Sequence, residues 1–188
     1  MKTVTALEQF AAPSGVYIEG PEREHPRVFL EPRRYEDAMR SFVIVCTDAV
    51  IIDRAHRKIH LAHRNVKPMP GWWVIGGRQF AFETSEASVR RCFKRETKLD
   101  LPEDRFEYVR HNWYVWNERE QAPQDVGSHN VAFTYAIELS AEERSFAWAN
   151  LHPEEYDITR GLRAFGRDDL LKEDVHPMLV ALFDQLFP

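Results

Sequence analysis

The sequence predicts a mixed α/β fold with helices packed on one sheet. A continuous apolar run, SFVIVCTDAVII at 41–52, is followed by an alternating segment, KIHLAHR at 58–64, as expected for a fully buried and a half-buried strand. A helical period occupies 85–98, and two further strand-like segments and a C-terminal helical stretch come after it. The order strands, helix, strands, helix places helices against a sheet.

The chain is read from its N-terminus. Residues 1–30, with Pro and Glu around GPEREHPR, are expected to form an irregular arm, leaving residues 31–188 as one domain. Pro32 suits the first turn of a short helix, PRRYEDAMR, because its missing N–H would be unpaired there anyway. The two strands at 41–52 and 58–64 are joined by the turn DRAHR. After the loop NVKPMPG comes an aromatic strand, WWVIGG. Thr84 or Ser85 can cap the helix SEASVRRCFKRETK, in which Val89, Cys92, Phe93 and Glu96 share one face. Glu96 is thus a carboxylate on an apolar stripe. The strands FEYVRHNWYVW and SHNVAFTYAIEL flank a polar loop, NEREQAPQDVG. A loop through ANLHPEEYD then leads to DDLLKEDVHPMLVALFDQLF, one or two helices.

Composition narrows the function. A chain of 188 residues buries roughly two thirds of its unfolded surface, enough for a core without staples. Cys46 and Cys92 both lie in apolar sequence and read as reduced core residues. A net charge of -5 argues against a nucleic-acid partner, which would need a basic face, so any phosphate must be held locally. No apolar run approaches the ~18 residues of a membrane span, and MKTVTALEQFAAPSG lacks the apolar core of a signal peptide, so a cytoplasmic location is expected.

Residues 77–99 resemble the Nudix box. Gly77, Glu83, Arg91, Phe93, Glu96 and Leu99 stand at its offsets, whereas Cys92, Arg95 and Lys98 occupy places where the box has Glu, Glu and Gly. The block GWWVIGGR, the helix with Arg91 and Glu96, the segment LEPRRYEDAMRSFVIVCTD and the DVHP sequence are similar to the GDP-mannose mannosyl hydrolase branch of the Nudix hydrolases, over roughly residues 30–180. That resemblance implies the Nudix fold, a mixed β-sheet sandwiched between helices. It implies one Mg²⁺ (or Mn²⁺) held by Glu96 and the main-chain carbonyl of Gly76, since hard cations take oxygen ligands. It also implies Arg64 and Arg78 as forked donors to a diphosphate, His152 as general base, Asp48 at an acidic position of the branch, and His129 beside the diphosphate.

The implied reaction is water attack at the anomeric carbon of a nucleoside diphosphate sugar, releasing sugar and nucleoside diphosphate with inversion. Stabilising an anionic leaving group is the chief task there. Attack at phosphorus, giving a nucleoside monophosphate and a sugar phosphate, and a non-catalytic module binding a nucleotide or phosphosugar are the alternatives. The resemblance further implies a homodimer.

Departures from the branch carry expectations of their own. A cation at 95 pointing inward would repel Mg²⁺ by several kcal/mol at an effective dielectric of about 20, so Arg95 is expected to turn outward. Lys98 would cost roughly 1 kcal/mol in a left-handed conformation, so the turn after the helix is expected to differ. Leu151 stands where the branch has a metal-holding amide, with only Asn150 nearby as a substitute, and Asn130 replaces an aromatic hydroxyl. Against the ligand role, Glu96 also reads as a helix carboxylate paired with Arg91 or Lys94. Arg64 and Arg78 also read as surface arginines, and His152 as a solvated loop histidine. Trp72, Trp73, Trp113, Tyr114 and Trp116 read first as packing, with one of them free to stack on a nucleobase.

Overall fold

In this computed structural model, β1 (Ile44–Asp53) lies at the middle of a seven-stranded sheet; the structure describes residues 28–120, 122, 124 and 126–188. The expected arm falls almost wholly on residues 1–27, outside those described. From edge to edge the main path is β3 (Gly71–Trp73), β2 (Lys58–Arg64), β1, β6 (Ser128–Glu138) and β5 (Glu107–Trp116). β1 and β6 are parallel, and the other pairings are antiparallel. The sheet is therefore mixed.

β1 is buried on both sides, which is why its sequence is a continuous apolar run. Val50 and Ile52 enter one core with Ile59, Leu61, Phe165, Leu179 and Leu182. Ala49 and Ile51 enter a second core with Val89, Phe93, Tyr135 and Ile137. The first core is closed by α4 (Arg167–Lys172) and α5 (Pro177–Leu186), and the second by α2 (Ser85–Thr97) and α3 (Ala141–Ala149). The sheet is sandwiched between helices, as expected. α1 (Pro32–Ser41) begins at its predicted proline.

Four local features differ from the sequence reading. WWVIGG is not one strand: Gly71–Trp73 pairs with β2, while β4 (Ile75–Arg78) pairs with β1 at Cys46–Ala49. β2 occupies β1 only at Ile51–Asp53, so the chain passes from one neighbour to the next and leaves the ladder at Val74. α3 was not foreseen. Ser140 opens it with a reciprocal cap, its Oγ accepting from Glu143 N at 3.1 Å while its own N donates to Glu143 Oε2 at 2.8 Å. β7 (Leu162–Phe165), also unforeseen, adds to β2. Finally, the turn after α2 keeps its left-handed shape despite the missing glycine: Lys98 takes φ 63° and its N–H bonds Lys94 O.

Candidate functional site

A cavity of about 580 Å³ opens on the face of the sheet that carries Cys46 and Asp48. Strand alternation puts these two residues, with Ser128, Asn130 and Ala132 of β6, on one wall. Asp48 lies opposite Gly76 in the β1–β4 ladder, and a Cβ on Gly76 would stand 2.2 Å from Asp48 Oδ1 and 2.4 Å from Thr47 O. Only glycine permits that approach. Asp48 is 8% exposed and makes no hydrogen bond or ion pair with the described residues. Burial pushes its carboxyl up to about 7, against the opposing pull of Arg64.

Several cations share the cavity wall with this carboxyl, and Arg64 is the one that acts on it. Arg64 ends β2, with one guanidinium nitrogen 3.5 Å from Glu155 and its Nε buried without a hydrogen bond among the described residues. Arg78 ends β4, and its guanidinium lies 5.0 Å from the centre of the Tyr35 ring. Arg119 lies 5.1 Å from the same ring and is 3% exposed. Burial, then repulsion from Arg119, lowers the pKa of Arg78. Arg64, Lys67, Arg78, Arg95 and Arg119 on the cavity wall outnumber Asp48, Glu120 and Glu155. The cavity wall thus carries an excess of cations in a protein whose net charge is -5.

Two residues of the box hold Arg78 in place. Arg91 donates Nε to Glu83 Oε1 at 2.6 Å and Nη2 to Glu83 Oε2 at 2.8 Å, and Nη2 also reaches Arg78 O at 2.8 Å. Glu83 in turn accepts from Phe80 N at 3.0 Å. This forked pair ties the loop after β4 to α2, which explains why Glu83 and Arg91 stand at their offsets without any metal.

Glu96 is on the buried face of α2, as its stripe implies, and is 1% exposed. Its partner is neither Arg91 nor Lys94. Arg95 turns inward, contrary to expectation: Nε donates to Glu96 Oε1 at 2.6 Å, Nη2 contacts the same oxygen, and Nη2 lies 3.5 Å from Gly76 O. A buried carboxylate needs a counter-charge, and Gly77 leaves the space for one. A Cβ there would stand 3.0 Å from Arg95 Nη2. Burial pushes the Glu96 carboxyl up, and the adjacent guanidinium opposes this. Glu96 Oε1 and Gly76 O face the guanidinium, while Glu96 Oε2 is buried without a hydrogen-bond partner among the described residues. No group of three or more His, Cys, Asp or Glu among the described residues is placed to hold a metal ion. With the Arg95 guanidinium in this position, Glu96 Oε1 and Gly76 O do not fit a further cation between them.

No protein-family model matches the sequence, and no curated protein does. Solved structures do match in fold. A MutT NUDIX hydrolase from Burkholderia pseudomallei superposes with a TM-score of 0.58 at 23% identity, covering 78% of this chain and 99% of that one. The MutT protein from Methanosarcina mazei Go1 gives 0.53 at 14%, covering 76% and 91%. The NUDIX domain of Shewanella oneidensis NrtR, complexed with ADP ribose, gives 0.51 at 17%, covering 81% and 98%. The chain has the Nudix fold.

Within this Nudix fold the expected site residues divide. Asp48, Arg64, Gly76 and Arg78 meet on the cavity wall. His152 is not on that wall: its backbone N–H donates to Glu96 O at 3.0 Å, its Nδ1 is buried without a hydrogen-bond partner among the described residues, and its ring acts electrostatically on the Glu96 carboxyl. Asn150 caps its own helix by donating to Phe146 O at 2.9 Å, and Leu151 is core, so neither replaces the lost amide. His129 is exposed on the opposite face of β6, its ring 5.4 Å from Trp113, because it alternates with the cavity residues Ser128 and Asn130. That register turns its side chain away from the cavity wall. Asn130 lines the cavity and donates to Cys46 Sγ at 3.5 Å. Both cysteines are free, Cys92 in the core and Cys46 on the wall, its thiol pushed up to about 12 chiefly by burial. Trp73, Tyr114 and Trp116 line the cavity, and the last two stack at 15° and 5.1 Å. Sequence reasoning missed Tyr35, Lys67 and Arg119, which lie on a surface helix and in polar loops without periodicity.

Proposed function

We propose that the protein binds a nucleoside diphosphate sugar in this cavity and hydrolyses it at the anomeric carbon. The observation that carries the reading is a buried carboxyl, Asp48, with no ion pair among the described residues, sharing the wall of a cavity of nucleotide size with Arg64 and Arg78. The solved NUDIX domain complexed with ADP ribose supports a ligand of this class.

In this reaction a water oxygen bonds to the anomeric carbon as the bond from that carbon to the diphosphate oxygen breaks. The electron pair leaves with the nucleoside diphosphate. Asp48 takes the water proton in place of His152, because a carboxyl shifted to about 7 is poised for proton transfer near neutrality. Arg64 and Arg78 neutralise the departing diphosphate. Attack from the face opposite the leaving group inverts the centre. No step is assigned to Mg²⁺.

The experiment incubates the full chain with a panel of sugar nucleotides, in EDTA and in Mg²⁺, and identifies the products. Free sugar and nucleoside diphosphate in EDTA are expected, with Asp48→Asn reducing turnover at least 100-fold. A nucleoside monophosphate with a sugar phosphate would mean attack at phosphorus. The Arg95–Glu96 pair also favours a second reading, a module that binds without turnover, and failure on every substrate in both buffers would select it. The homodimer implied by resemblance is tested by the mass in solution; Phe42 and Val43, exposed at the end of α1, are surface that a second copy would cover.

A further inference from the structure

We infer that Arg95 is the resident counter-ion of the diphosphate, standing where a divalent ion would otherwise bridge Glu96, the Gly76 carbonyl and the ligand. The inference rests on the proposed ligand class but not on catalysis. Three observations carry it. The guanidinium is bonded to Glu96 through Nε and leans over Gly76 O through Nη2, so it spans the two oxygens that a cation would join. Gly77 has no side chain, which lets the guanidinium approach β4; a Cβ there would stand 3.0 Å from Arg95 Nη2. The side chain is 48% exposed and lines the cavity that Arg64 and Arg78 also line.

A guanidinium has five donors in a planar fork. Nε is committed to Glu96, and Nη1 has no hydrogen-bond partner among the described residues, so donors remain for phosphate oxygens. The charge arithmetic matters as well. Glu96 with a divalent ion would present one net positive charge to the ligand, whereas Glu96 with Arg95 presents none. The remaining attraction must come from Arg64, Arg78 and Arg119, which line the same cavity. Binding is therefore metal-independent and salt-sensitive.

The test is calorimetric titration of the full chain with inorganic pyrophosphate and with ADP, in EDTA and in Mg²⁺. The wild type is expected to bind both equally well in the two buffers. Arg95→Gln is expected to weaken binding at least tenfold in both, with thermal melting confirming that it folds. Arg95→Glu places a second carboxylate beside Glu96; it is expected to lose binding in EDTA and regain it in Mn²⁺, with Mn²⁺ itself detected by electron paramagnetic resonance. Wild-type binding that requires Mg²⁺, a folded Arg95→Gln protein that binds as tightly as wild type, or no binding in either buffer would each overturn the inference. Metal-independent binding without turnover of any sugar nucleotide would uphold it and reject the hydrolase.

Discussion

Asp48 is a carboxyl buried on the cavity wall, and that burial has a cost in stability. Its pKa moves from an ordinary 3.8 to about 7, so folding retains a proton that the unfolded chain releases. Between pH 4 and 7 the folded state binds more protons than the unfolded one. The stabilisation is full below pH 4 and is lost as pH rises through 7, a change on the order of 4 kcal/mol if no ligand compensates. Asp48→Asn, which cannot ionise, should melt several degrees above wild type at pH 8–9, with the gap closing towards pH 4. Thermal melts across that range check it, and a gap independent of pH would assign the effect to packing. The helical stripe disclosed that Glu96 faces inward, because periodicity reports Cα direction. It did not disclose Arg95. A position just off the apolar stripe leaves a long side chain several rotamers, and the one adopted is decided by a buried carboxylate and a bare glycine brought from β4. His129 makes a related point: it lies on β6, next to the edge strand β5, and one residue of strand register decides that it faces away from the cavity.

At the scale of elements, β1 was legible as a continuous apolar run buried on both sides, and β2, α2, β5 and β6 as segments whose pattern matches a strand or a helix. α3 was not, since it buries only Ala147 and its AEERSFAWA sequence shows no apolar stripe. Its signal was at its start, in Ser140 and Glu143, a capping box. β7 has four residues, too few for a period to register. The cap can be tested directly. Ser140→Ala leaves Glu143 N without its acceptor and should cost about 1 kcal/mol, lowering the melting temperature by about 3 °C. Ser140→Gly should cost only a few tenths, because glycine is a tolerated cap. Equal losses for the two variants would show that the Ser140 hydroxyl has some role other than the cap.

The molecule as a whole is two hydrophobic layers sharing one sheet, and β1 makes them interdependent. Val50 and Ile52 point into one layer and Ala49 and Ile51 into the other, all at most 1% exposed. The strand cannot leave one core without vacating the other, so the two layers should unfold together. Leu182, in α5, and Phe93, in α2, probe them separately, since each is fully buried and they belong to different clusters. Leu182→Ala should cost roughly 2–5 kcal/mol and Phe93→Ala roughly 3–5. With no shared contacts, the losses in the double variant should add to within about 0.5 kcal/mol. Denaturant titrations followed by tryptophan fluorescence and by far-UV circular dichroism should coincide in all three variants. The fluorescence is weighted to the first core, where Trp72 and Trp73 lie, so a single-site Leu182→Ala protein that loses its fluorescence signal before its helices would show that the α5 layer can detach. In that case β1 would not be the element that couples the cavity to the rest of the fold.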